Sequence, residues 1–142
     1  MSKVTKTFLL AGKAIFTVHN NSNEHYTYKV RKSREDSPWG QRYFVSLLTG
    51  PDNELSYTYI GILEPNTGVL RLTKQSQYPY SSKAVKVLQW ALNVVWRDAF
   101  DKVPIGYGIK HEGKCGRCGR TLTTPESIDC GIGPECLKIM GM

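Results

Sequence analysis

The sequence predicts an α+β fold: an antiparallel β-meander packed by one long helix, with a small zinc-knuckle module at the C-terminus. Three observations carry this reading. Apolar and polar residues alternate with the period of a strand over much of residues 25–74. A stretch free of Gly and Pro, residues 83–100, repeats its apolar positions with helical spacing. All four cysteines, Cys115, Cys118, Cys130 and Cys136, fall in the last 28 of the 142 residues.

In "HYTYKVRK" (25–32), Tyr26, Tyr28 and Val30 share one face, and Thr27, Lys29 and Arg31 the other. "RYFVSLLTG" (42–50) is apolar on both faces, as a central strand would be, and "GPDN" (50–53) supplies a turn. "ELSYTYIGIL" (54–63) is a β-rich aromatic run, "EPNTG" (64–68) a second turn, and "VLRLTK" (69–74) a fourth strand. An earlier strand within residues 6–18 is expected to join the meander. "SREDSPWGQ" (33–41) reads as a polar loop.

The helix follows "QSQYPYSS", where Ser81 or Ser82 can cap it. Ala84, Val87, Leu88, Ala91, Val94 and Val95 form its stripe, and Trp90 and Trp96 read as core or edge packing. "DKVPIGYGIK" (101–110) reads as a connector. The expected organisation is a core domain over residues 1–100 and a zinc-binding module over residues 109–142.

The cysteines carry the chemistry. In a reducing cytoplasm such a cluster indicates metal or redox chemistry rather than disulfides. "CGRCGR" has the form of a zinc knuckle: a tight Cys-x-x-Cys turn whose amides point at thiolate sulfurs, with Gly116 inside it and Gly119 just after, a residue type that tolerates positive φ. Cys136 follows after seventeen intervening residues and makes a third ligand. Spacing leaves the fourth open between His111, three intervening residues before Cys115, and Cys130, five before Cys136. Between the halves, Thr124 and Pro125 have the form of a helix start, and Cys136 would open the last helical turn. His-Glu-x-x-His, P-loop and nucleophile-elbow patterns are absent, and His111-Glu112 does not fit the zinc-deaminase pattern, so the expected zinc is structural and the protein non-enzymatic.

Residues 111–136, "HEGKCGRCGRTLTTPESIDCGIGPEC", resemble the ending of an uncharacterised family of small phage-encoded and bacterial proteins. The shared tail runs His-x-x-x-Cys-x-x-Cys-Gly-Arg-x-Leu, then Pro-x-Ser, then Gly-x-Gly-Pro-x-Cys. "YTYKVRK", "YFVSLLTGPDN" and "VLQWALNVVW" extend the likeness over most of the chain. The resemblance implies His111, Cys115, Cys118 and Cys136 as Zn(2+) ligands, with Cys130 a spare thiol. It implies no established activity.

Charge suggests the partner. The formal net charge is +7. Residues 110–120 carry four basic side chains against one acid, and residues 1–34 carry seven against one. Should they meet, Lys110, Lys114, Arg117, Arg120, Lys29 and Arg31 would contact phosphates, and Tyr57, Tyr59, Tyr78 or Tyr80 could stack on bases. The expected function is binding of nucleic acid or of a nucleic-acid-processing complex in the host-cell cytoplasm. The alternative is a protein–protein inhibitor of a host enzyme or defence system. No apolar run is long enough to span a membrane, and spacing and composition are silent on oligomeric state.

Overall fold

The computed structural model describes residues 4–22, 24–33, 42–50, 56–111, 113–122, 128 and 130–141. The sequence-predicted turn at 51–53, the loop at 34–41 and the helix start at Thr124–Pro125 lie outside them.

Among the described residues six strands form one antiparallel sheet: β1 (Lys13–His19), β2 (His25–Lys32), β3 (Tyr43–Leu48), β4 (Tyr57–Leu63), β5 (Leu70–Arg71) and β6 (Gly108–His111). Their spatial order is β5-β4-β3-β2-β1-β6. The first five pair consecutively, as a meander must when turns are short. β6 returns to the free edge of β1, with Phe16 opposite His111 and Thr17 opposite Lys110.

α1 (Lys6–Leu9) is capped by the Thr5 hydroxyl, which accepts the Phe8 N–H at 3.2 Å. The strand expected from residue 6 thus begins at Lys13, after a short helix. α2 (Lys83–Trp96) is capped by Ser82, whose hydroxyl accepts from the Val85 amide. It ends four residues short of the sequence reading. Asp98 turns to φ 49°, the Ala99 N–H reaches the Val94 carbonyl and the Asp98 N–H the Val95 carbonyl. That is a Schellman closure with aspartate in the left-handed position, and a 3-10 turn, Phe100–Lys102, follows.

α2 lies on one face of the sheet. Its Ala84, Val85, Leu88, Ala91, Leu92, Val94 and Val95 share a core with Phe16, Tyr28, Val30, Val45, Ile60 and Leu63. The buried Tyr28 hydroxyl donates to the Ala84 carbonyl at 2.6 Å and locks strand to helix. Trp96 closes the edge, its indole N–H on the Pro65 carbonyl at 3.0 Å. α3 (Pro134–Ile139) starts two residues before Cys136. No described helix is long and apolar enough to cross a membrane.

Candidate metal centre and the basic sheet face

Residues 108–111, read from the sequence as a connector and the head of a separate module, are the sixth strand of the sheet. From β6 the chain enters the knuckle. Lys114 bridges Thr121, the Cys115 N–H bonds the Arg120 carbonyl at 2.8 Å, and the Gly119 N–H bonds the Cys115 carbonyl at 2.8 Å. Gly119 has φ +80°, the conformation that the tight turn demands of it. This fold of the backbone aims two amides at one sulfur: Arg117 and Gly133 N–H each lie 3.4 Å from Cys115 Sγ. Burial works against ionisation of the Cys115 thiol, yet hydrogen bonds from Gly133, Cys118 and Arg117 bring it down to about 7. Burial pushes the Cys136 thiol up, opposed by the Arg117 guanidinium, whose Nη1 lies 3.7 Å from that sulfur.

Cys115, Cys118 and Cys136 bring their sulfurs within 4.8 Å of one another. Four ligands around a thiolate-bound metal stand about 3.8 Å apart when metal–sulfur bonds are about 2.3 Å, so the three thiols could hold one metal ion. Cys115 and Cys136 are buried and Cys118 is exposed. A cleft of about 300 Å³ opens beside them, with Arg120, Glu135 and Ile139 in its walls.

Residues 108–141 match a family of unknown function (DUF6011). The match spans β6, the knuckle and α3, the last two of which carry the three cysteines. No curated protein and no solved structure matches the chain.

His111, expected as the fourth ligand, is not brought to the cysteines. It is buried, Nε2 donates to the Ile128 carbonyl at 2.6 Å, and Nδ1 accepts the Gly113 N–H at 2.9 Å. A neutral imidazole has one donor and one acceptor nitrogen, and both are taken. Cys130, the other candidate, points its thiol at the Ile132 carbonyl at 3.3 Å and also stands outside the group.

The knuckle sits against the N-terminal segment, a contact the sequence did not announce. Gly116 and Gly131 press against Phe8; a Cβ at either would come within 2.7 Å of its ring. The His111 ring lies 5.1 Å from that of Phe8, and the Lys13 N–H bonds the Gly116 carbonyl at 2.6 Å. Ala11, Cys115, Leu122, Ile132 and Cys136 form a second, small core.

Five of the six basic candidates fall into two sets, and Lys114 stands between them at the mouth of the knuckle, beside Lys13 and Lys29. Strand alternation and register place Lys29 and Arg31 of β2, Lys110 of β6 and Lys13 of β1 on the sheet face turned away from α2. Phe44, Ser46, Tyr57 and Tyr59 share that face. Arg31 stands over the Phe44 ring at 5.5 Å, Lys29 over the Tyr57 ring at 5.3 Å, and Phe44 packs 6.2 Å from Tyr59. With Gln75 they line a hollow of about 480 Å³. Arg117 and Arg120 belong instead to the cysteine group. Tyr78 packs on the main core and the Tyr80 hydroxyl accepts from the Leu72 amide at 3.0 Å; neither lines the hollow. Phe44 was missed in sequence, because its string is apolar on both faces and reads as core.

Proposed function

We propose that this protein is a non-enzymatic zinc protein that binds single-stranded nucleic acid across the sheet face turned away from α2. One observation carries the reading: two cationic side chains, Lys29 and Arg31, interleave with three aromatic rings, Phe44, Tyr57 and Tyr59, around one hollow. Aromatic faces accept any base by stacking, and the cations meet the phosphates. Stacking on aromatic rings needs bases that are not paired within a duplex, which favours a single strand.

The zinc role is structural in this reading. Three sulfur donors suit zinc, and amide hydrogen bonds to Cys115 stabilise the thiolate form it needs. Zinc takes one more ligand beyond three thiolates, and the cleft beside Arg120 and Glu135 is the space from which it would come.

The test is fluorescence anisotropy with a labelled oligothymidine. Wild type should bind with a steep salt dependence. Phe44→Ala and Tyr59→Ala should each weaken binding by about 5- to 100-fold, the worth of one base stack. Absence of binding at low salt overturns the reading.

One observation favours the alternative, an inhibitor that docks on a host protein. Ile105 is 98% exposed, and Tyr107 beside it packs edge-on to Trp90 at 6.2 Å. Capture of one host protein from nuclease-treated lysate, lost in Ile105→Asp, would decide for it.

A further inference from the structure

On the α2 side of the sheet, away from the aromatic hollow, lies a cavity of about 310 Å³. Its apolar walls are Val18 of β1, Tyr26 of β2, Val87 and Trp90 of α2, and Tyr107. Val18 and Tyr26 stand opposite each other in register, so both rise from the same face of the sheet. Val87 and Trp90 are three residues apart and share one face of the helix. The fifth wall is set by the turn before β6. The Tyr107 N–H bonds the Pro104 carbonyl at 3.0 Å. Gly106, at φ +89°, packs so closely on Asn21 that a Cβ there would stand 2.6 Å from the Asn21 Cβ. Tyr107 is thereby held edge-on to Trp90, with ring centroids 6.2 Å apart. A cavity of about 150 Å³ takes a benzene ring, so this one has room for a two-ring body. Apolar and aromatic walls with a few polar groups are the make-up of a small-molecule site.

The polar groups decide the charge of the occupant. Glu24 is the one carboxylate among the described lining residues, and both its oxygens are engaged. Oε2 accepts from Lys83 Nζ at 2.6 Å and Oε1 from the Asn20 amide at 3.4 Å. Lys86, one turn of α2 beyond Lys83, also lines the cavity, and its ammonium has no partner among the described residues. The hydroxyls of Tyr26 and Tyr107 and the indole N–H of Trp90 likewise make no hydrogen bond among the described residues. An ammonium and an indole can only donate, and a phenol can donate. A cationic occupant would meet the ammonium groups of Lys83 and Lys86. A carboxylate would meet a free cation and up to three neutral donors.

We propose that this cavity binds a small aromatic carboxylate, its rings among Tyr26, Trp90 and Tyr107 and its charge on Lys86. The site goes beyond the nucleic-acid reading and does not depend on it, because the two lie on opposite sides of the sheet.

The experiment is isothermal titration calorimetry with naphthoate, compared with naphthalenemethanol and naphthylmethylammonium, which carry the same rings without charge and with the opposite charge. Wild type should bind naphthoate most tightly and the ammonium least. Lys86→Gln should weaken naphthoate about 2- to 5-fold, the worth of an exposed ion pair, and leave the alcohol unchanged. Glu24→Gln releases Lys83 and should tighten naphthoate by a similar factor. Tyr107→Ala removes an aromatic wall and should weaken acid and alcohol alike, about 3- to 10-fold. Val87→Trp fills the cavity and should abolish binding of both. Tyr107 is 40% exposed, so its truncation keeps the test decisive should Val87→Trp fail to fold. Lys138→Gln, on α3, should change nothing.

Equal binding of acid and ammonium overturns the charge assignment. Naphthoate binding that ignores both Tyr107→Ala and Lys86→Gln, or that oligothymidine displaces, belongs to another surface and overturns the site. A peptide ending in phenylalanine that binds more tightly than naphthoate assigns the cavity to chain ends and overturns the small-molecule assignment. No binding at millimolar naphthoate overturns the proposal and leaves the nucleic-acid reading standing.

Discussion

Both ring nitrogens of His111 are engaged inside the protein, Nε2–H on the Ile128 carbonyl and Nδ1 on the Gly113 amide. A metal ligand needs a free lone pair, so X-ray absorption of zinc-loaded protein is expected to show three sulfurs and one lighter ligand without the multiple scattering of an imidazole ring. Four sulfurs would bring in Cys130. His111→Asn should keep about one zinc per chain yet lose about 1–3 kcal/mol of stability, because it leaves buried partners unmade. Burial holds the His111 pKa below its ordinary 6.5, partly offset by the bond to Ile128. The sign follows: the unfolded chain takes up this proton first, so the contribution is full above about pH 6.5 and is lost as pH falls below it. The stability gap between wild type and His111→Asn should narrow over that range, and the NMR titration of His111 should have its midpoint below 6.5. The Cys-x-x-Cys spacing was legible because knuckle geometry is local. Spacing left the fourth ligand open and the resemblance named His111; spacing shows how near a residue is along the chain, not which way its ring turns.

Elements were legible in proportion to how local their causes are. β2 and α2 follow from period 2 and period 3.6 in consecutive residues, and Ser82 was read as one of two possible caps. The end of α2 was not legible, since Asp98 closes it in a conformation usually marked by glycine. β6 was also hidden: "GIKH" is short and glycine-led, and its partner β1 is some ninety residues earlier. Two substitutions test the joints between elements. Tyr28→Phe removes the strand-to-helix hydrogen bond at 2.6 Å and should cost about 1 kcal/mol in urea unfolding. Gly68→Ala should cost more than about 1 kcal/mol from its φ of +74° alone. The added Cβ would also sit 2.6 Å from the Trp96 ring, so the edge packing must shift. Loss of near-ultraviolet circular dichroism from Trp96 would report it.

The molecule holds two cores of unequal size, joined where Phe8 meets Gly116 and Gly131. Among the described residues the smaller gathers five buried residues, two of them cysteines of the thiol group, few for a core to stand without help. Metal-binding energy becomes folding energy in such a unit. Chelation should therefore collapse the chemical-shift dispersion of the amides of residues 113–141 in NMR spectra while far-ultraviolet dichroism keeps the sheet and α2; loss of both together would show one cooperative unit instead. The composition, the cysteine spacing, the strand alternation and the helical stripe are written in neighbouring residues, and they were enough to specify a meander, a helix and a thiolate site. The union of Phe44 with Tyr57 and Tyr59 on one sheet face, and the turning of His111 away from the cysteine group, are not. Each depends on pairings between segments far apart in the chain, where register and packing, rather than local pattern, decide which side chains meet.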